Sequence, residues 1–438
     1  MSDQFFALIF AENFLDLVFA AYLALQGKRV GVAASKAQLQ SSADALLLDP
    51  FRSRTVCDWL GLPLKSEKNS FTPDFQIISP KHRLELFWDR PRREFALERD
   101  LGKDWKKFSA LIDHLAELGD VFQEQIKEHK IVDLKFGSRI LARFFSTVKP
   151  SFDKTSLAEL VNQYELSPEH KRLLMAPLKI ISPFFRSGSP LFSGALLWKF
   201  FLSGAEGNAG ESESWDAIFE ILAANGSLIE EPAQALIAKG KKLQTLKLQS
   251  GREIAAEHFF GEPNRVFYLF EYEKRESRHA KSLMAQFARA TFYNHVFRMD
   301  AALWPEPMSE RVLWVPAAET EPPEFLLISH QVTPKTIQVS LSYGLQKGEA
   351  KPLSNTDIFD ALHGLLPWLS AKDLEPESES MPSHQHLRFH PSQLDFPRVS
   401  TAYTNLFLSP SELIPFFGFQ GMFRLAEIMM ENDKKDKK

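Results

Sequence analysis

The 438-residue sequence holds a single cysteine, Cys57, which excludes an internal disulfide and a cysteine-based zinc site. A lone thiol of this kind defaults to a buried structural role and suits a reducing compartment. Strong charge of either sign is also missing. With a formal net charge of −4 the chain has no broad basic field to hold a phosphate backbone, so nucleic acid is not an expected partner. Apolar stretches such as Leu15 to Leu25 are too short and too interrupted to span a bilayer, so no transmembrane segment is expected. The amino terminus starts with Asp3 in place of a positively charged region, so no secretory signal is expected and the expected location is cytoplasmic, with reversible contact at a membrane surface left open. GxSxG, HExxH, Walker and EF-hand patterns are lacking, as are tandem repeats.

What remains is a globular composition, 44% hydrophobic and 25% charged, at a length that accommodates a large two-domain body. The 38 phenylalanines are many; they imply wide aromatic cores or an apolar cavity. The pairs Phe184 and Phe185, Phe200 and Phe201, Phe259 and Phe260, and Phe416 and Phe417 fit either.

The opening carries the clearest local pattern. FFALIF, the short break AEN, the helix-length apolar FLDLVFAAYLALQG and then KRVGVAAS predict strand, turn, helix ended by Gly27, and second strand. A βαβ opening implies a parallel sheet covered on both faces. From Phe71 the alternating FQIISPKHRLELFWD predicts a hairpin around Pro80 and Lys81. Helical periodicity follows from Trp105 to Ile126 and from Leu157 to Phe201, with Ser and Thr caps in SFDKTSLAEL, which gives a helical lid. SWDAIFEILAANG predicts another helix. LQTLKLQ and REIAAEHFF, joined through Ser250 and Gly251, predict a hairpin. RVLWVP, EFLLISHQV and TIQVSLSYGL predict a second, mostly antiparallel sheet. ETEPPE and EPESESMPS are predicted as exposed loops, KKDKK as a charged tail, and the basic residues Lys274, Arg275, Arg278 and Lys281, interleaved with Glu276, as a solvated helix face.

Three stretches carry a resemblance to a known family. FALIFAENFLDLVFAAYLALQGKRVGVAAS resembles a nucleotide-binding strand, turn, helix and strand. The segment from Trp215 to Pro263 is similar to the helix, hairpin and return strand of the same fold, and NLFLSPSELIPFFGFQGMFRLAEIMM to its C-terminal strand and helix. Together they make the chain resemble the FAD-dependent amine oxidase, phytoene desaturase and Rab GDP-dissociation inhibitor superfamily. This implies an α/β fold: a Rossmann-like FAD/NAD(P)-binding domain with a discontinuous antiparallel-sheet substrate domain and a helical cap. The expected boundaries are 1–70, 202–265 and 396–438 for the Rossmann-like domain, and 71–201 and 266–395 for the substrate-type domain.

In that family the first turn reads GxGxxG, because glycines allow the tight turn, the approach of backbone to pyrophosphate and the contact of helix with strand. The resemblance puts those positions at Ala11, Asn13 and Asp16, none of them glycine. Asn13 brings a side chain where pyrophosphate should meet bare backbone. Asp16 brings negative charge to the helix end that would hold phosphate, at roughly 1 to 4 kcal/mol for charges about 4 Å apart. The family's ribose-binding carboxylate corresponds to Ala34, and its C-terminal Gly-Asp to Pro410 and Ser411. Only Gly418 and Gly421, near the start of the last helix, keep a family feature beside the flavin. The expected cofactor is therefore none, and the expected role is a binding, scaffold or regulatory protein for a protein partner or an apolar, isoprenoid-like or lipid-like ligand. The alternative is an FAD-dependent oxidoreductase of the phytoene desaturase or amine oxidase type, acting on an isoprenoid or amine. No catalytic residue is assigned. His384, His386 and His390 in PSHQHLRFHP could supply metal ligands, but no acidic partner pattern accompanies them, so a surface loop is expected and no metal.

Overall fold

The computed structural model describes residues 4–11, 14–33, 57, 60, 61, 75–87, 89–128, 155–181, 185, 188–202, 211–240, 242–261, 287–304, 308, 309, 311–316, 324–346, 353–376, 382–389, 404–408 and 422–431. The predicted opening is present: β1 (Phe5–Phe10), α1 (Phe14–Leu25) and β2 (Val30–Ala33). β1 and β2 are buried throughout and pair in parallel, from Ala7 opposite Val30 to Phe10 opposite Ala33. Strands without a polar face need cover on both sides. Gly27 ends α1 at φ 71, and the N–H groups of Gly27 and Lys28 donate to the carbonyls of Ala24 and Leu23. That pattern closes a helix only when its third-last contact can tolerate a left-handed residue, which glycine does freely.

Next come β3 (Phe75–Ile78) and β4 (Arg83–Leu86), the predicted hairpin. They lead into α2 (Arg90–Leu101) and α3 (Trp105–Glu128). The periodic tract from Leu157 to Phe201 is divided into α4 (Leu157–Gln163), α5 (Pro168–Ile181) and α6 (Leu191–Leu202). Ser156 starts α4 in a capping box with Glu159, so the predicted cap holds. Gly119 lets α3 lie against α6: a Cβ there would stand 2.8 Å from the Ala195 carbonyl oxygen.

α7 (Glu211–Asn225) passes without a loop into β5 (Gly226–Ile229), and β6 (Ala233–Lys239), β7 (Lys242–Leu248) and β8 (Glu253–Gly261) follow as a meander. The turn between β7 and β8 falls at Ser250 and Gly251 as predicted, with Gly251 at φ 86. The long β9 (Phe287–Asp300) was not predicted. β10 (Arg311–Trp314), β11 (Phe325–Thr333) and β12 (Thr336–Gln346) match the predicted strands. α8 (Asn355–Leu365), β13 (Glu375–Pro376), β14 (Pro382–Phe389), β15 (Leu406–Leu408) and a helix over residues 422–431, α9, complete the described chain.

Two sheets result. The first has the order β5-β2-β1-β8-β7-β6, with β15 also on β8. β8 serves two partners in succession: Glu253 to Ala255 run antiparallel to β7, and Ala256 to Gly261 run parallel to β1. The second has the order β13-β9-β12-β11-β10-β3-β4, with β14 also on β9. It is antiparallel except where β10 meets β3. In β12 the residues Ile337, Val339, Leu341, Tyr343 and Leu345 are buried, a period of two that aims one face at α8.

Two predictions are corrected. PSHQHLRF is not a surface loop but β14, paired antiparallel with β9 from Pro382 opposite Tyr293 to Phe389 opposite Phe287, with a register shift between Ser383 and Gln385. EPESESMPS is not a loop at its ends, because Glu375–Pro376 forms β13 and Pro382 opens β14. In both places the unforeseen β9 supplies the backbone partners, which a local reading of polar and proline-bearing sequence does not register. Asn13, Ala34, Pro410, Ser411, Gly418, Gly421, the basic stretch from Lys274 to Lys281 and the KKDKK tail lie outside the described residues, as does ETEPPE apart from Glu324.

The core confirms packing roles for several singled-out residues. Cys57, Phe185, Phe259 and Phe260 have no solvent exposure. α1 is enclosed on every side from Leu15 to Ala24, with Phe19 edge-on to Phe260 at 5.2 Å and Tyr22 edge-on to Phe423 of α9 at 4.7 Å. A helix apolar all round is stable only in such an enclosed position. The helical cap is fastened to the second sheet by the Arg172 guanidinium, which donates to the Pro316 carbonyl, and by Lys179, 2.8 Å from Glu324.

Candidate functional site

In an open parallel sheet the ligand crevice forms outside the carboxyl ends of the strands, where neighbouring strands depart in opposite directions. Here that point lies beside β1. From it β2 and β5 extend one way, and β8 and β15 the other. The register aligns the strand ends in one row: Ile229, Ala33, Phe10, Gly261 and Leu408 are successive neighbours across five strands. A shared end row gives the chain five exits at one edge, and the residues of interest follow directly from them.

Ala11 follows Phe10 and is 6% exposed, and Asp16 stands in the first turn of α1 with 0% exposure. Ala11 and Asp16 thus stand on either side of the turn between β1 and α1. The other expected positions, Asn13, Ala34, Ser411, Gly418 and Gly421, lie outside the described residues. What the junction can do follows from its charge. The first turn of a helix presents unpaired N–H groups and about half a positive charge, an environment that favours an anion. Asp16 supplies one from within the chain. A carboxylate removed from water persists only where hydrogen bonds or positive potential compensate it, and the helix end contributes such potential.

The fit to a dinucleotide can be tested on these described residues alone. A diphosphate on the axis of α1 would approach a fully buried carboxylate, and the backbone after β1 carries a methyl group at Ala11 where the approach requires none. Among the described residues no group of three histidine, cysteine, aspartate or glutamate side chains is arranged to hold a metal ion, and no helix is long and apolar enough to cross a membrane.

Sequence reasoning overlooked three residues that pack and pair the strands leading to this edge. Gly31 in β2 has no room for a side chain, since a Cβ would lie 2.8 Å from Leu8 Cδ1. Gly226 at the start of β5 would place a Cβ 2.8 Å from the carbonyl oxygens of both Leu222 and Val30. Asn405, 4% exposed, holds the approach to β15: its Oδ1 accepts from the Leu243 N–H at 2.8 Å, and its Nδ2 donates to the carbonyls of Leu243 at 2.9 Å and Glu257 at 3.1 Å. A glycine inside an apolar run, as in VGVA, was the available signal for Gly31; an asparagine just ahead of LFL was the signal for Asn405.

No protein-family model and no curated protein sequence matches the chain. Solved structures do. An oxidoreductase from Methanosarcina mazei superimposes with a TM-score of 0.57 at 13% identity, covering 97% of this chain and 99% of that one. Putrescine oxidase, in its wild-type form bound to putrescine, gives a TM-score of 0.54 at 12% identity over 98% of this chain and 100% of that one. Rab GDI from Plasmodium falciparum gives 0.51 at 8% identity over 98% of each. The chain therefore shares, along nearly its whole length, the fold of these amine oxidases, of this oxidoreductase and of Rab GDI.

Proposed function

We propose that the protein is a non-catalytic member of this fold that does not hold FAD and acts by binding, as a scaffold or regulator, with a protein or an apolar, isoprenoid-like ligand as its partner. The observation that carries this is Asp16: a carboxylate with no solvent exposure in the first turn of the helix that would receive the cofactor's phosphates. The substitutions at Ala11, Asn13, Ala34 and Ser411 act in the same direction by removing close backbone approach, the ribose anchor and the phosphate contact of the last strand. Rab GDI, one of the structures similar in fold, supports a binding role by its name. The segments 1–70, 202–265 and 396–438 constitute the former nucleotide unit, and 71–201 with 266–395 the partner-facing unit.

The test is optical and calorimetric. Purified protein is expected to be colourless, and titration with FAD is expected to release no heat of binding. Near-stoichiometric flavin absorbance overturns the proposal. Two observations favour that opposite outcome, an FAD-dependent oxidoreductase acting on an amine or isoprenoid: putrescine oxidase and cyclohexylamine oxidase share the fold, and Gly418 and Gly421 are retained ahead of α9.

A further inference from the structure

At the foot of the helical cap, away from the strand-end row, two histidines and two carboxylates converge from three segments. His82 lies in the turn between β3 and β4, Asp104 ends the single 3-10 turn Gly102–Asp104 after α2, and Glu169 with His170 occupies the first turn of α5. The imidazole rings meet edge to face with centroids 5.2 Å apart. His82 Nδ1 lies 3.2 Å from the Asp100 carbonyl oxygen, which can only accept, so Nδ1 carries the proton. A second proton, on Nε2, would face Glu169 Oε2 at 3.7 Å. His170 is 6% exposed, and its Nδ1 has no hydrogen-bond partner, with Asp104 Oδ2 at 3.6 Å.

We propose that His82 and His170 form an acid-operated latch, in which the uncharged His170 ring holds the first turn of α5 against the β3–β4 turn and its protonation releases that contact.

The charges facing His170 explain the direction. Lys81 approaches Glu169 at 3.5 Å, and Asp100 turns its carboxylate to Arg99 at 2.7 Å, leaving only its carbonyl toward the pair. Asp104 and Glu169 attract a proton to His170, but burial and the neighbouring His82 ring outweigh them, so that proton is a poorly compensated positive charge in a buried place, at the helix end that itself repels cations. Burial first, and His82 second, hold the His170 imidazole below its ordinary value. An imidazole that resists protonation when packed favours the packed state at neutral pH. As the pH falls below the ordinary value, about 6.5, the released state gains protons that the closed state refuses, and the equilibrium shifts toward release. The rest of α5 stays attached, because Arg172 reaches the Pro316 carbonyl and Lys179 reaches Glu324 at 2.8 Å. Release therefore opens one end of the cap without detaching it.

Hydrogen exchange on the full-length protein tests this. Between about pH 7.5 and about pH 5.5, peptides spanning residues 79–87 and 167–176 are expected to lose protection roughly tenfold after correction for intrinsic rates, while peptides from β12 keep theirs. His170→Gln is expected to abolish that loss, and His82→Gln, which removes one cause holding the His170 imidazole down, to reduce it. Equal protection of these peptides at both pH values overturns the proposal, as does an unchanged acid response in folded His170→Gln. If His170→Gln does not fold, the wild-type His170 resonances decide: titration at or above about 6.5 overturns the latch, and titration below it supports it.

Discussion

A single residue can settle what a helix end is able to bind. In the proposed reading Asp16 does so as an acidic residue in the first turn of α1, and its place was readable in the sequence because Gly27 fixes the helix end from which the turn is counted. Its burial was not readable, since it depends on the tertiary packing around α1. Another residue marks a local cost. Glu165, after α4, is the non-glycine residue with positive φ, 48°, among the described residues. Its side chain is 82% exposed and pairs only with Lys107 at 3.5 Å. Strain at such a position exceeds the small worth of an exposed ion pair. Glu165→Gly is accordingly expected to raise stability by about 0.5 to 1 kcal/mol, seen as a higher urea midpoint with an unchanged slope; a lower midpoint would contradict the strain.

Elements differ in how far they announce themselves. β1, α1 and β2 were legible because their periods, their enclosing apolar composition and Gly27 agree with one another, β10 and β11 because each holds a short apolar run, and β12 because it alternates from Ile337 to Leu345. The tract from Leu157 to Phe201 kept its helical period across two breaks, so its division at Tyr164 to Ser167 and before Leu191 escaped notice. β9 and β14 form through each other's backbone, and β14 in particular carries prolines and histidines that suggest a loop when viewed alone. The short β15 owes its position to Asn405, which acts as a strand partner through its side chain. Asn405→Ala removes acceptors and donors for Leu243 and Glu257 in a place without water. It is expected to cost about 2 to 4 kcal/mol, since each buried group left unpaired costs about 1 to 3 kcal/mol. Thermal unfolding should register the loss, and a midpoint equal to wild type would show that the amide contacts are dispensable.

At the scale of the molecule, the chain alternates between its two sheets. It leaves the first after β2, returns through α7 and β5, leaves again after β8, and comes back for β15 and α9. Neither sheet is a contiguous stretch of sequence, so no single cut separates them. A chain ending before Thr404 lacks β15 and the helix that packs on Tyr22 through Phe423, and it is expected to be insoluble or to show reduced protection of α1 in hydrogen exchange. Soluble, fully protected material from such a truncation would contradict the role given to the last segment.

The two visits of β8, first to β7 and then to β1 and β15, set a timetable for synthesis. Its meander half finds its partner within a few residues, whereas its far edge waits for Leu406 to Leu408, more than a hundred residues downstream. Synthesis must therefore extend the chain more than a hundred residues past β8 before that flank is covered, and during this interval the nascent chain exposes an apolar strand edge that a chaperone is suited to shield.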